Sequence, residues 1–241
     1  MANNRSDFVG PILLAIFAYL ASMLTRAFQR SIMESSTIVR TSMLNVNLNH
    51  TIQDQFITDQ QMINTLQDQD VWKECDRSGA RWWDGKTEPS NVWEQLSQKI
   101  WKDRWEYTQA AGFEYWCNIV KDKKNVPWHI DKDEAALRDH KRLITPLMGA
   151  VYYGFNHDGH FSGGLLQLID ADVGDNPLNY DLKHGGRRSN EVLEVTPNFN
   201  RLVLFNASKW HRVTGVYHGT RYTFAVNANR HKPKRLTKTG N

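Results

Sequence analysis

Residues 201–228 read RLVLFNASKWHRVTGVYHGTRYTFAVNA, and two short runs within them carry the fold class. RLVLFNA at 201–207 and RYTFAVNA at 221–228 are dense in Val, Leu, Tyr and Phe and are separated by Ser, Gly and Thr. Their lengths and their aromatic and β-branched content are those of strands, and no long helical run lies between them. Working outward, FEYWCNIV at 113–120, LITPLMGAVYYGF at 143–155, GGLLQLID at 163–170 and VLEVTP at 192–197 read the same way. One helix precedes them, with Trp93, Leu96, Ile100 and Trp101 on one face at i, i+3, i+7 and i+8 and Ser90 as its cap. A helix or two followed by many short strands predicts a mainly β fold with flanking helices. It is an antiparallel sandwich or barrel, with a jelly roll the natural candidate.

The 241 residues suffice for one ordinary domain and a tail, and a 40% hydrophobic content with nine Trp supplies a core. A net charge of +4 is dilute for a nucleic-acid surface, which concentrates its positive charge, so nucleic acid is not an expected partner. Cys75 and Cys117 are the only cysteines and form no CxxC pair. They are too few for a disulfide scaffold, and two free, buried thiols are expected, with a single bridge between them as the alternative.

Phe8 to Leu24 reads FVGPILLAIFAYLASML, a charge-free stretch just long enough for a spanning helix. Pro11 falls in its first turn, where a missing N–H costs little. The start, MANNRSD, lacks the basic region of a signal peptide, no cleavage site follows, and the stretch has no polar face for a buried amphipathic helix. The expectation is an N-terminal hydrophobic helix, with residues 1–30 an uncleaved, single-pass membrane anchor inserted through residues 8–24. Arg26 and Arg30 after it against Arg5 before it lean towards a cytoplasmic C-terminal side without settling the orientation. Residues 31–70 turn polar, with Ile52, Phe56, Ile63 and Leu66 at near-helical spacing, and are expected as a partly helical stalk. Residues 71–241 then form the folded domain. Two glycosylation sequons, at Asn49 and Asn206, matter only if that domain is lumenal.

The chemistry-bearing residues are His129 and Asp131 in PWHID, His211 in KWHRV and Arg221 in GTRYTF. On an extended segment, His-x-Asp places both side chains on one face. Completed by a distant histidine, they make the two-His-one-carboxylate set of non-haem iron(II) oxygenases, which leaves three coordination positions open. Alone, His-x-Asp says little in a chain with nine histidines, each of which is otherwise an ordinary surface or core residue. Arg221 follows His211 by ten residues, with a turn-like Tyr217-His218-Gly219-Thr220 between. That spacing predicts a hairpin laying the two strands side by side, Arg221 offset by a few rises of about 3.3 Å. The offset suits a five-carbon dicarboxylate that chelates a metal at one end and meets a guanidinium fork at the other.

With these residues in view, Gly112 to Asn229 resembles the prolyl-4-hydroxylase-like 2-oxoglutarate/Fe(II) dioxygenases. The features that carry the resemblance are His-x-Asp, Ala150-Val151-Tyr152-Tyr153, Gly163-Gly164-Leu165-Leu166, Arg201 to Phe205, and His211 through Arg221, in that order. The resemblance implies a double-stranded β-helix (jelly roll). It also implies Fe(II) as cofactor on His129, Asp131 and His211, with 2-oxoglutarate and O2 as co-substrates and no catalytic residue beyond the metal centre. Arg221 binds the far carboxylate of 2-oxoglutarate, and Tyr153, the second tyrosine of the pair, joins it. Collagen-type members often carry lysine where this chain has Arg221, which places it nearer the sensor-type and small bacterial hydroxylases. Asp131 speaks against the halogenases, which replace that carboxylate with a small residue. The implied activity is hydroxylation of an unactivated C–H bond, of a prolyl or other residue in a protein, or of a free amino acid or small metabolite. Nucleic-acid dealkylation belongs to a cousin family whose basic, aromatic-lined groove is not evident here. A membrane-tethered binding module with a vestigial metal site is the alternative of another class, and the retained ligands with Arg221 and Tyr153 speak against it. Parity with Arg221 turns Thr223 and Asn227 inward, with Asn227 a candidate for substrate contact or pocket wall. Asp133 and Glu134 read as a solvated loop, with orienting Lys132 or a cationic substrate as the second reading, His218 as exposed, and the basic run 230–235 as a solvated tail or a headgroup-attracting one.

Overall fold

The computed structural model describes residues 50–156, 161–171, 174 and 192–236. All lie in one compact unit that runs from Val46. The stretch Phe8–Leu24, and with it the expected anchor helix, lies outside the described residues. Among the described residues no helix is long and apolar enough to cross a membrane.

The described residues open with β1 (His50–Gln53), α1 (Gln60–Thr65), α2 (Gln69–Ser78), β2 (Arg81–Trp83), α3 (Val92–Trp101) and α4 (Trp105–Gln109). It continues through β3 (Gly112–Val120), β4 (Val126–His129), α5 (Glu134–His140), β5 (Met148–Tyr153), β6 (Ser162–Gly163) and β7 (Leu166–Ile169). The last strands are β8 (Val192–Val195), β9 (Arg201–Phe205), β10 (His211–Val213), β11 (Val216–His218) and β12 (Arg221–Asn229). A six-stranded sheet in the order β1-β9-β5-β12-β3-β2 faces a four-stranded sheet in the order β4-β10-β7-β8. The pairings among the described residues are antiparallel, as for β12 against β3 and β10 against β4, and apart from β2–β3 and β7–β8 the neighbours are not consecutive in the chain. This is the arrangement of a jelly roll.

Strand β12 explains why one stretch decides the fold, since all nine of its residues are buried. Tyr222, Phe224, Val226 and Ala228 face the helices, in one core with Trp72 of α2 and Trp93 and Leu96 of α3. Trp93 stacks on Phe224 with centroids 5.2 Å apart, and Trp72 meets Trp93 edge-on at 4.8 Å. Arg221, Thr223, Ala225 and Asn227 face the other way and line a cavity between the sheets. Period-two alternation thus divides the strand into a structural face and a chemical one. Each fully buried aromatic on the structural face contributes about 1.5–3 kcal/mol.

Several expectations are corrected. His211 and Arg221 do not sit on paired strands: β10 lies in the smaller sheet and β12 in the larger, with β11 between them in sequence and paired to β6. Nearness in sequence becomes approach across the barrel because consecutive strands of a jelly roll alternate between sheets. The polar stretch expected as a stalk is part of the body from His50 onward. β1 pairs with β9 (Ile52 opposite Val203), Ile57 exchanges two hydrogen bonds with the Asn200 side chain, and Ile57, Met62 and Leu66 are buried. The cap of α3 is Asn91, whose Oδ1 accepts from the N–H groups of Trp93 and Glu94, while Ser90 donates to the Glu94 carboxylate. Cys75 and Cys117 are joined in a disulfide, with Cα atoms 5.5 Å apart. The buried stripe of α2, Trp72 and Cys75, lies against the face of β3 that carries Phe113, Tyr115 and Cys117, and that packing brings the two sulfurs together.

Candidate metal centre

His129 ends β4 and His211 begins β10, and the antiparallel register sets them directly opposite each other. Their rings lie 4.2 Å apart. Asp131 follows on the same extended chain, fixed by its N–H donating to the Ala207 carbonyl at 2.8 Å. The Nε2 atoms of His129 and His211 are each 3.7 Å from Asp131 Oδ1, and one donor atom from each of the three residues lies within 4.8 Å of the others. Each histidine turns its Nδ1 to the carbonyl two residues back, Pro127 for His129 at 2.8 Å and Lys209 for His211 at 2.9 Å. A carbonyl only accepts, so Nδ1 carries the proton and Nε2 offers its lone pair to the shared point, as metal-ligating histidines require. Two imidazoles and one carboxylate on one side of a cavity fit a divalent ion of the iron(II) kind.

Electrostatics favours the ligating forms. Burial pushes the Asp131 carboxyl upward, but the neighbouring His211 and then the Asn227 amide outweigh it and hold Asp131 below the usual carboxylate range. Burial, followed by the neighbouring His211, keeps His129 below the ordinary imidazole value and so neutral. The Nδ2 group of Asn227 donates to Asp131 Oδ2 at 2.9 Å, leaving Oδ1 turned toward the histidines. Strand parity turns Asn227 inward, but nothing in the sequence marks its bond to the Asp131 carboxylate.

Arg221 lies on the inner face of β12 in the cavity that the three donors share. It is 2% exposed, its Nη2 donates to the Tyr153 hydroxyl at 3.3 Å, and its Nε has no partner. A buried guanidinium without a carboxylate carries a large desolvation penalty unless an anion completes it. The Thr223 hydroxyl is also buried and unpartnered. Of the two adjacent tyrosines, Tyr152 packs in the helix-side core and Tyr153 in the inner cluster, so alternation assigns Tyr153 to Arg221. One buried cation with two hydroxyls, opposite a metal-binding set, fits a metal-chelating dicarboxylate.

A second, open cavity of about 360 Å³ begins at the same donors and is lined by His129, Asp131 and Asn227. Beyond them stand Glu114 and Trp116 of β3, with Asp76, Lys132, Glu134 and Arg235. Asp133 and Glu134 do not form a solvated loop. Asp133 caps α5, its Oδ1 accepting from Ala136 N–H and its Oδ2 from Lys234 N–H. The basic run is likewise held rather than free: beside Lys234, the Arg235 guanidinium pairs with the Glu114 carboxylate through both Nε and Nη2. Burial holds the Glu114 carboxyl above its usual range, and Arg235 offsets only part of that. His218 is exposed at its surface strand, as expected.

Residues 115–229 match the family model of the 2OG-Fe(II) oxygenase superfamily, a range that holds His129, Asp131, Tyr153, His211 and Arg221. Among solved structures, a Pseudomonas putida prolyl-4-hydroxylase is similar at 16% identity and a TM-score of 0.50, over 76% of this chain and 89% of that one. HygX from Streptomyces hygroscopicus, solved with nickel and 2-oxoglutarate bound, is similar at 12% identity and a TM-score of 0.49, over 80% of this chain and 91% of that one. A Trichoplax adhaerens prolyl hydroxylase in complex with a hypoxia-inducible-factor peptide follows at 16% identity and 0.47, over 89% and 97%. No curated protein matches the chain. At such identities the first of these structures speaks for a shared fold and no more.

Proposed function

We propose that this member of the 2OG-Fe(II) oxygenase superfamily, to which residues 115–229 belong, hydroxylates an unactivated C–H bond of a prolyl or other residue in a protein, with His129, Asp131 and His211 as its metal ligands. The superfamily uses Fe(II), 2-oxoglutarate and O2, so the chain is a dioxygenase. The single observation that carries the site assignment is the buried Arg221 guanidinium, incompletely paired, in one cavity with the three donors. Held by His129, Asp131 and His211, iron(II) would supply the activation of O2, the oxidant, whose two atoms would end in succinate, formed from 2-oxoglutarate with loss of CO2, and in the substrate hydroxyl.

The chain's own residues do the positioning. Pro127 and Lys209 carbonyls fix the histidine tautomers, and Asn227 turns Asp131 Oδ1 inward. Arg221 meets the far carboxylate, with Tyr153 and Thr223 as hydroxyl partners beside it. Val151, Leu166 and Phe205 line this cavity and keep water from the reacting end. The open cavity on the other side admits substrate. Its mixed charge also suits a free amino acid or small polar metabolite, which stays the second reading. The charge-free stretch 8–24 supports tethering at a membrane.

The test is to titrate 2-oxoglutarate into iron-loaded protein without oxygen, following the metal-to-ligand charge-transfer band. Succinate formation with peptide and amino-acid pools is then screened in air. A saturating band lost in Arg221→Ala supports the reading; a band indifferent to Arg221 overturns the site assignment.

A further inference from the structure

Resting on that reading, we propose that the open cavity recognises a cationic group of the substrate, a guanidinium or an ammonium, through Glu114, and that Arg235 holds this place until substrate arrives. Glu114 and Asn227 are cross-strand partners on β3 and β12, so the Glu114 carboxylate stands beside the residue that holds the metal carboxylate. It is 7% exposed, and a carboxylate so buried needs a cation. The structure shows which kind: the guanidinium of Arg235, bound through two of its nitrogens to one carboxylate oxygen. Trp116, two residues along the same face of β3, also lines the cavity, and an aromatic face beside a carboxylate is a pairing that guanidinium and ammonium groups favour.

Arg235 is suited to yield. Its side chain is 51% exposed, against 9% for Glu114, so the guanidinium can return to water at little cost while the buried carboxylate passes to another cation. The backbone at Lys234 is tied to Asp133, so the side chain of Arg235 can swing away while the segment stays. With Arg235 withdrawn, the described residues lining the cavity outside the metal donors present Asp76, Glu114 and Glu134 against Lys132, and Lys132 is paired to Glu134 at 2.8 Å. A cation entering there is attracted; an anion is repelled.

The experiment uses the full chain loaded with iron and 2-oxoglutarate without oxygen, and three probes of similar shape titrated by calorimetry. They are acetyl-argininamide, acetyl-lysinamide and the neutral acetyl-citrullinamide. One or both cations should bind at least about tenfold more tightly than the citrulline analogue, and their ratio decides between guanidinium and ammonium. Glu114→Gln should erase the preference, whereas Arg235→Ala should tighten cation binding because the internal competitor is gone. A pair that only braces the fold would give the same sign for both variants. The wild-type preference and the Arg235→Ala gain stand even if the Glu114 variant fails to fold. Equal binding of all three probes, no binding of the cations, or a loss in Arg235→Ala overturns the proposal. The charge-transfer band, read in the same samples, reports separately on the Arg221 end. A band without cation selectivity sinks this proposal alone, and selectivity without a band sinks the co-substrate reading.

Discussion

The inner face of β12 has two ends that solve opposite problems. The closed end is the narrow cavity at Arg221, about 60 Å³, where the guanidinium is 2% exposed and polar atoms of Arg221 and Thr223 lack partners. At Asn227, six residues and roughly 20 Å of strand away at about 3.3 Å per residue, the cavity is open and of mixed charge, with ion pairs satisfied within the chain. An end left unsatisfied is preorganised for one fixed anion, which restores what burial removed. An end satisfied by its own exposed side chains is built for exchange. The proposed metal donors lie where the two meet, each cavity being lined by His129 and Asp131.

The largest effect should come from breaking the junction itself. His211→Ala removes the least exposed of the three donors, at 6% side-chain exposure, and leaves a two-donor set. Turnover should fall to background and iron should no longer co-purify, while the melting temperature stays near wild type because His211 faces a cavity. Iron retained with full activity would shift the search to another histidine.

Next comes the wall of the open end. Cys117 and Asp76 both line the open cavity, and the Cys75–Cys117 bridge ties α2 to β3 just there. Closing a 42-residue separation stabilises a fold by about 3–4 kcal/mol in the chain-entropy account. Reducing the bridge, or making Cys75→Ser with Cys117→Ser, should lower the melting temperature by roughly 10 °C. Affinity for 2-oxoglutarate should hold at temperatures where the fold persists. A matching loss at the closed end would show that the two ends are mechanically one.

At the closed end, Arg221→Ala should weaken 2-oxoglutarate by about one to two orders of magnitude or more, since each hydrogen bond to a charged group contributes about 1.5–3 kcal/mol. Arg221→Lys keeps the charge and loses the fork, so it should lose less. Tyr153→Phe removes one hydroxyl and should cost least. An anaerobic titration of the three variants gives this order, and the reverse order between Arg221→Ala and Tyr153→Phe would reassign the clamp.

How much of this was readable in the chain differs between the same two regions. His129, Asp131, His211 and Arg221 stood out because metal and carboxylate chemistry admits few residue types, and Tyr153 by resemblance. Strand parity is local, so the inward turn of Thr223 and Asn227 could be read directly. What joins distant elements could not. Glu114 and Arg235 are 121 residues apart, and neither position is marked by type as one of a pair. The hairpin failed because sequence adjacency does not show that β10 and β12 belong to different sheets. The disulfide was hidden because only the seating of α2 on β3 brings Cys75 to Cys117. β1 reads as a polar stalk because all four of its residues are exposed and it is held by backbone pairing at a sheet edge.

The smallest effect is expected at Asn227, and it tests whether the junction belongs to one end or to both. Its amide donates to Asp131 Oδ2 and to no metal ligand atom facing the histidines. Asn227→Ala leaves that oxygen buried without its donor, and loss of such a supporting contact lowers metal affinity by about tenfold or somewhat more. Asn227→Asp should do worse than Ala, because it sets a second carboxylate against Asp131 where the amide had been a donor. The readout is competition for iron against a chelator of known strength, measured with and without saturating 2-oxoglutarate. If Asn227 acts only through Asp131, the loss should be the same in both conditions, since Arg221 and its hydroxyl partners lie at the other end of the strand. A loss that vanishes when 2-oxoglutarate is bound would mean that the closed end restores what Asn227 supplies, and the division of β12 into two independent ends would fail at its middle.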